Sequence, residues 1–316
     1  MNNSLRIVFS GQESAGVQAL KILIASPHEI VGVFTSGDPS AIGGSGVQKL
    51  AEQEGLTIFP AELVRDQRAV EALGPAPVDI VLNVHSLYIV DDSLLDLPSI
   101  GAFNVHPGPL PRLAGLNSIS WAIFLGETRH GVTLHHMTAG IDKGAIAYQT
   151  LFDLQETDTP VSIMSRCAKE GAAMIEQLLS DAAADSESIP QIVQDFSKRD
   201  YYGREAPNEG WIDWTWPAVR VSNFIRACAY HPFPSPWGRP KALLAGREIT
   251  VGKGTLSGDA CSQAPGTIAE GGEGAVRVAC GDEWIDLSRF RTDEGALKPA
   301  DLLGLGSAFE SRVPPE

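Results

Sequence analysis

Short apolar runs alternate with helical patterns in the first half of the chain, and this alternation restricts the fold more than any other feature. The runs carry few polar residues at alternate positions, as strands do when both of their faces are covered. Six such runs lie at residues 5–10, 30–34, 78–84, 102–105, 131–137 and 145–152, and helical patterns occupy 14–24, 47–54 and 160–179. We therefore predict an α/β fold with a parallel sheet and crossover helices.

The pattern of the sequence changes from residue 239 onward. Short β-prone runs alternate there with glycine-rich turns, at 242–244, 248–251, 266–268, 275–279 and 283–287. This pattern is typical of a small antiparallel β-barrel. A chain of 316 residues is long enough for two domains. We predict a first, catalytic domain over residues 1–204 and a second domain over residues 205–316.

Composition restricts the compartment in which the protein works. The four cysteines, Cys167, Cys228, Cys261 and Cys280, are widely spaced and form no CxxC pair, which indicates free thiols in a reducing compartment. No apolar run approaches the roughly 20 residues that a membrane helix needs. The first residues lack the basic-then-apolar order of a signal peptide. We predict a cytoplasmic protein that does not contact a membrane.

The charge balance bears on the class of partner. The formal net charge is -15, and no cluster of Lys or Arg is visible. Because nucleic-acid binding gains affinity from basic side chains that neutralise phosphates, a nucleic-acid partner is disfavoured. A small-molecule substrate is the partner that we expect, and the oligomeric state stays open.

Three polar side chains combine into a candidate catalytic set. Asn104 and His106 end the fourth apolar run and share one face of a strand, at the carboxyl edge where such sheets bind ligands. Asp142 lies in a loop between Gly140 and Gly144. An imidazole moves protons at neutral pH, a carboxylate orients it, and an amide donates to an oxyanion. This set suits the transfer of an acyl group from one nitrogen to another.

The same residue types also have a purely structural interpretation. A strand-end Asn and His can satisfy backbone groups of a loop, and Asp is common in turns without any catalytic role. The histidines show no HxH or HxxxH spacing, so we predict no metal site. The first glycine-containing turn, at residues 11–16, lacks the GxGxxG spacing of a dinucleotide site.

Short motifs spread over nearly the whole chain favour the catalytic interpretation. They are Asn104-Val105-His106-Pro107, Leu110-Pro111, Gly115, Gly131-Val132-Thr133, Gly140-Ile141-Asp142-Lys143-Gly144, Ile212-Asp213-Trp214, Pro217-Ala218, Ile225-Arg226-Ala227, Ala264-Pro265-Gly266-Thr267-Ile268 and Leu297-Lys298-Pro299-Ala300-Asp301-Leu302. In this combination the chain resembles the 10-formyltetrahydrofolate-dependent formyltransferases, whose best-known member is methionyl-tRNA formyltransferase.

The resemblance implies a fold, a donor and a set of site residues. The fold is a Rossmann-like amino-terminal domain with a small OB-like β-barrel at the carboxyl end, and the donor co-substrate is 10-formyltetrahydrofolate. Asn104, His106 and Asp142 match the catalytic residues of the family. The folate-contacting loops of the family match Ser86, Leu87, Tyr88, Gly108, Pro109, Leu110, Pro111, Thr138, Ala139, Gly140 and Ile141. Asn117 and Arg204 are our candidates for binding the acceptor.

The chain also departs from the family pattern where the acceptor would enter. After the His-Pro pair the family usually has a serine, two leucines and a proline, whereas this chain has Gly108-Pro109-Leu110-Pro111, and Ala114 replaces a usual arginine. We expect an N-formyltransferase of specialised metabolism. Its acceptor would be a small amine or hydroxylamine, such as an amino acid, a hydroxyornithine-like compound or a carrier-bound amine.

Four alternatives stay open at this stage. The first is a sugar-nucleotide 4-amino N-formyltransferase. The second is a methionyl-tRNA formyltransferase, which the charge disfavours because residues 36–46 contain no Lys or Arg where the tRNA enzymes carry a long basic loop. The third is a non-catalytic folate-binding protein, and the fourth is a deformylase with water as the acceptor.

Overall fold

The computed structural model describes residues 4–37, 45–86, 88–272 and 274–310. These residues form two compact units, and each unit takes segments from several parts of the sequence. The first unit falls within Met1–Gly115, Arg129–Phe152 and Met164–Tyr201, and the second within Leu116–Thr128, Asp153–Ile163 and Tyr202–Glu316. The domain limits inferred from the sequence, 1–204 and 205–316, stay a prediction.

A seven-stranded sheet is the centre of the first unit. Its strands are β1 (Arg6–Gly11), β2 (Glu29–Thr35), β3 (Ile58–Pro60), β4 (Ile80–Val84), β5 (Gly101–His106), β7 (Arg129–His136) and β8 (Ile146–Asp153). They lie side by side in the order β3-β2-β1-β4-β5-β7-β8. The five strands from β3 to β5 are parallel, and β7 is antiparallel to β5. The strand order reverses between β1 and β4, the position at which open α/β sheets bind ligands beyond the carboxyl ends of the strands.

Strand β4 forms where the sequence predicts it because both of its faces are buried. All five residues of β4 are buried, so an alternating polar pattern has no place there. Helix α1 (Glu13–Ala25) buries residues at helical spacing, namely Gly16, Ala19, Leu20 and Leu23. The predicted α/β fold with a parallel sheet is confirmed for the five strands from β3 to β5, and β7 joins them antiparallel.

The remaining helices and short strands connect these elements. They are α2 (Gly46–Gln53), α3 (Arg68–Leu73), α4 (Asp92–Leu95), α5 (Ser118–Leu125), α6 (Pro160–Ala184) and α7 (Ala218–Ala227), with the two-residue strands β6 (Ala114–Gly115) and β9 (Tyr201–Tyr202). Single 3-10 turns occur at Ala61–Arg65, Ser186–Ser188, Phe196–Lys198 and Pro207–Gly210.

The second unit contains a six-stranded antiparallel sheet, as predicted. Its strands are β10 (Lys241–Leu244), β11 (Arg247–Ala260), β12 (Ile268–Glu270), β13 (Val276–Ala279), β14 (Glu283–Thr292) and β15 (Gly295–Leu297), and helix α8 (Pro299–Leu305) follows them. Residues 307–310 bridge the two ends of the sheet. The Glu310 N–H donates to Leu243 O, and the Phe309 N–H donates to Gly266 O, each at 2.8 Å. The strands therefore close into a ring.

None of the helices within the described residues is both long and apolar enough to cross a membrane.

Candidate active site

Strand pairing places the predicted site residue Asn104 between two other polar residues. Asn104 lies in β5, opposite Asn83 of β4 on one side and opposite His135 of β7 on the other. His106 ends β5 and is buried. The sheet register alone therefore places Asn104 between an amide and an imidazole.

The hydrogen bonds of Asn104 fix the orientation of its amide. Its Oδ1 accepts a hydrogen bond from Asn83 Nδ2 at 2.8 Å, and its Nδ2 lies 3.1 Å from His135 Nε2. His135 Nδ1 lies 2.8 Å from the carbonyl oxygen of His136, so we assign the ring proton to Nδ1 and the accepting lone pair to Nε2. One N–H of Asn104 is thus bound to His135. The second N–H has no acceptor within the described part of the chain.

The loop that follows β7 presents Asp142 to this site. Asp142 has a left-handed backbone, with φ of 53°. Gln194 Nε2 donates to the carbonyl oxygens of Asp142 at 2.9 Å and of Gly144 at 2.6 Å. A Cβ atom at Gly144 would lie 1.7 Å from the carbonyl oxygen of His136, so only glycine fits at this position. The loop is therefore held by the Gln194 side chain and by the close approach of Gly144 to His136.

The Asp142 carboxylate meets three donors or potential cations. Its Oδ2 accepts a hydrogen bond from the Gly115 N–H at 2.7 Å and lies 3.6 Å from His106 Nδ1, and its Oδ1 lies 3.4 Å from His135 Nε2. Burial alone would raise the pKa of Asp142, but His106, the Gly115 N–H and His135 in its protonated form, in which Nε2 also carries a proton, together lower it to about 2. The carboxylate is therefore ionised at neutral pH.

His106 is held from both sides of its ring. Its Nε2 lies 2.9 Å from the carbonyl oxygen of Leu113 and donates to it. At 3.6 Å its Nδ1 is beyond hydrogen-bond distance from Asp142. Burial lowers the pKa of His106, although the Asp142 carboxylate opposes this effect. A Cβ atom at residue 108 would lie 2.5 Å from Nε2, so Gly108 leaves the space that the ring fills.

The three predicted catalytic residues are therefore linked through His135 in one cluster, in which His106 and Asp142 are buried and Asn104 is half-buried. We call it the Asn104–His106–Asp142 cluster. Its chemistry matches the sequence-based hypothesis in two respects. One amide N–H remains for an oxyanion, and the ionised Asp142 stabilises a proton that arrives on His106. Their catalytic roles stay a proposal.

The predicted folate-contacting residues form loops of different exposure. Gly108 and Leu110 are buried, and their backbone groups bond to Thr133 and Gln149, whereas Pro109 and Pro111 are half-buried. Thr138, Ala139 and Ile141 are exposed and Gly140 is half-buried. Ser86 and Tyr88 are half-buried, and Leu87 lies outside the described residues.

Asn117 and Arg204, the predicted acceptor-binding residues, belong to the second unit. Asn117 immediately precedes α5 with a left-handed φ of 57°, and its Nδ2 donates to the carbonyl oxygen of Arg204 at 3.4 Å. The Arg204 side chain is exposed. The two residues are therefore neighbours, as their joint assignment requires.

His135 is the site residue that the sequence did not single out. Two adjacent histidines end β7, and strand geometry turns one of them inward. The choice between them depends on the pairing of Asn104 with His135, which joins positions 31 residues apart. Within the described residues, no group of three or more His, Cys, Asp or Glu side chains is placed to hold a metal ion.

Solved structures with the same fold include N-formyltransferases. WlaRD, a sugar 3N-formyl transferase determined in the presence of dTDP and 5-N-formyl-THF, aligns with a TM-score of 0.66 and 17% identity over 94% of this chain and 98% of its own. An N-formyltransferase from Helicobacter canadensis, in complex with folinic acid and dTDP-3-aminofucose, aligns with a TM-score of 0.66 and 16% identity over 93% and 100%. HypX from Aquifex aeolicus aligns with a TM-score of 0.61 and 17% identity over 96% of this chain and 49% of its own.

Two family models match the sequence directly. Residues 5–179 match the model of the formyl transferase family, and residues 206–303 match the model of the formyl transferase carboxy-terminal domain. The first match spans β1 to α6 and contains the whole Asn104–His106–Asp142 cluster. The resemblance noted in the sequence is confirmed, and the chain belongs to the formyl transferase family.

Proposed function

We propose that this protein transfers the formyl group of 10-formyltetrahydrofolate to the nitrogen of a small amine or hydroxylamine. The observation that carries the proposal is the free N–H of Asn104 beside the His106–Asp142 pair. An acyl transfer needs a donor for the oxyanion and a group that holds a proton. The cluster supplies both.

Each member of the cluster has a separate role in the proposed reaction. The acceptor nitrogen attacks the formyl carbon, and the carbonyl oxygen becomes an oxyanion that receives the free N–H of Asn104. His106 holds a proton, and Asp142 stabilises the resulting imidazolium. In the structure His106 Nε2 donates to Leu113, so its N–H reaches the oxyanion only after it releases that carbonyl. The bond from carbon to N10 then breaks, and N10 takes a proton.

The choice of donor is supported by relatives and by the exposure of the predicted loops. The WlaRD and Helicobacter canadensis structures were determined with 5-N-formyl-THF and with folinic acid, and another HypX structure is a complex with tetrahydrofolic acid. Half-buried Tyr88, Pro109 and Pro111 and the exposed residues Thr138, Ala139 and Ile141 provide apolar and polar surface for a flat, polar ring.

The charge of the chain favours a small acceptor over a diphosphate. A nucleotide diphosphate needs free Arg or Lys side chains. Two arginines of the first unit are already engaged, Arg112 at 3.4 Å from Asp200 and Arg199 through a hydrogen bond to the carbonyl oxygen of Ile141, whereas Lys143 and Arg204 are exposed. A sugar nucleotide is the second candidate acceptor, because the WlaRD structure was determined with dTDP and the Helicobacter canadensis structure with dTDP-3-aminofucose.

The test is a formyl-transfer assay with 10-formyltetrahydrofolate and a library of amines, hydroxylamines and amino-sugar nucleotides. Formylated products are identified by mass spectrometry, and tetrahydrofolate release is followed by absorbance. We expect product with a small amine or hydroxylamine, and His106→Asn should lower the rate about 10²-fold or more. The exposed His231→Asn is the matched control.

Three other results would redirect the proposal. Product only from nucleotide sugars would assign the second acceptor class. Tetrahydrofolate release without any acceptor would indicate hydrolysis of the donor. Binding of folinic acid without turnover of any acceptor would indicate a non-catalytic folate-binding protein.

A further inference from the structure

A second histidine–carboxylate pair lies at the carboxyl edge of the same sheet. His85 follows the last residue of β4, and Glu13 is the first residue of α1, just after β1. His85 Nδ1 lies 3.1 Å from Glu13 Oε2, and each side chain is 24% exposed. These are the two central strands at which the strand order reverses, the usual ligand-binding position in such a sheet.

The backbone at both residues is held in an unfavourable conformation. Glu13 has φ of 62° and His85 has φ of 55°. A left-handed residue that is not glycine costs about 1–2 kcal/mol. Among the described residues of the first unit, only Leu113 and Asp142 share this property. Leu113 binds His106, and Asp142 completes the proposed site, so the strained backbone of this unit is confined to the proposed site and to this pair.

A carboxylate is favourable in the first turn of α1, but helix capping does not account for the left-handed backbone of Glu13. The residue before it, Gln12, makes no capping hydrogen bond to α1. Instead Gln12 Oε1 accepts hydrogen bonds from the Thr35 hydroxyl and the Ser36 N–H. Strained residues whose side chains meet in a partly open position are typical of ligand-binding sites.

His85 lies close to the proposed site. Val84 pairs with Val105 in the register of β4 and β5, so His85 and His106 are the next residues along adjacent parallel strands. Burial lowers the pKa of His106, and His85 lowers it further. His106, His135 and Asp142 are each less than one-tenth exposed. Glu13 and His85 are therefore more open to solvent than the ionisable groups of the cluster.

We propose that Glu13 and His85 form a subsite for the ammonium group of the acceptor, which makes the acceptor a cationic primary amine. This inference rests on the proposed function. A carboxylate only accepts hydrogen bonds, so His85 Nδ1 carries the proton shared with Glu13 and Nε2 keeps a lone pair. The carboxylate attracts the ammonium ion, and the lone pair accepts its proton.

The protons balance along this route. The acceptor arrives as R–NH3+, and one proton moves to His85 Nε2, which leaves R–NH2 with a lone pair. That lone pair forms the new bond to the formyl carbon. When the bond from carbon to N10 breaks, N10 takes the second proton of the amine. The products are R–NH–CHO, tetrahydrofolate and one proton on His85, which passes to water.

A binding experiment tests the subsite without any turnover. Protein with 15N-labelled histidine is titrated with ethylammonium, and with tetramethylammonium as a cation that has no N–H donor. We expect saturable movement of the His85 ring signals with ethylammonium only, abolished in Glu13→Gln and kept in the exposed control Glu54→Gln. The ring signals of His106 and His135 report that each variant is folded. His85 signals that stay fixed, or that move equally in Glu13→Gln, overturn the proposal.

A turnover experiment tests the acceptor class with a matched pair of compounds. At neutral pH the δ-nitrogen of L-ornithine is a cation, whereas that of N5-hydroxy-L-ornithine is neutral. We expect Glu13→Gln to lower kcat/KM about 10²-fold for ornithine and less than about 3-fold for the hydroxylamine. An equal loss for both compounds overturns the inference. If the wild-type protein formylates no amine at all, the proposed function fails, and the ethylammonium titration still decides on the subsite.

Discussion

Replacing Asp142 by Asn removes one buried charge with little change of shape. The interactions of the carboxylate lower its pKa from 3.8 to about 2. A shift of this size corresponds to about 2 kcal/mol of preference for the ionised form in the folded protein. Because the folded-state pKa is depressed, this stabilisation is present above pH 3.8 and is lost as the pH falls through about 2. We expect Asp142→Asn to lower the free energy of unfolding by about 2 kcal/mol at neutral pH.

The same substitution should affect catalysis more strongly than stability. The Asn side chain can still accept the Gly115 N–H, but it cannot stabilise a proton on His106. We expect kcat to fall by about 10² to 10⁴-fold, the range for a lost acid–base group. Urea unfolding at several pH values gives the stability, and the formyl-transfer assay gives the rate.

Asp66 provides the matched control. Its pKa is also lowered to about 2, chiefly by a side-chain hydrogen bond from Arg68, but it lies at the surface. Because water and salt screen an exposed ion pair, Asp66→Asn should leave the formyl-transfer rate unchanged. If Asp142→Asn kept kcat/KM within about 3-fold of the wild type, its proposed role in proton transfer would be wrong.

Three further substitutions test the neighbourhood of the site. His135→Phe leaves the Asn104 amide without its acceptor and should lower kcat/KM by about 10 to 100-fold, with partial recovery in His135→Gln; equal activity of both variants would contradict the positioning role. Burial lowers the pKa of His130 from 6.5 to about 4, so the wild type should lose about 3 kcal/mol of stability as the pH falls from 6.5 to 4, and His130→Phe should lack this loss in urea unfolding. Gly144→Ala should abolish most activity because its Cβ overlaps a carbonyl oxygen, whereas Gly304→Ala, which meets open space, should leave activity unchanged.

The central strands of the first unit could be predicted from the sequence because each is a run of apolar residues that are consecutive in the chain. A strand such as β4, buried along its whole length, appears as an uninterrupted apolar run. Helix α5 was missed for a related reason. Six of its eight residues are buried, so the helix shows no polar face and no amphipathic period. Strand β3 has three residues, too few for any pattern.

In the candidate site, too, some residues could be predicted from the sequence, whereas the contacts between distant segments could not. Asn104 and His106 could be placed at the sheet edge because both lie at the end of one apolar run. The contact of Asn104 with His135 depends on the register of two strands, and the Glu13–His85 pair joins positions 72 residues apart. Such contacts exist only once the fold has brought distant segments together, and no single-sequence pattern records them.

The ring of strands in the second unit closes through very few residues. Among the described residues, those at 307–310 join β10 to Gly266 and β12. A shortened chain that ended before Ser307 would leave two sheet edges with unpaired N–H and C=O groups. Exposed edges of this kind pair readily with other chains. Proteolysis or truncation at this point would therefore turn a closed barrel into a template for aggregation, although every residue of the proposed catalytic cluster would still be present.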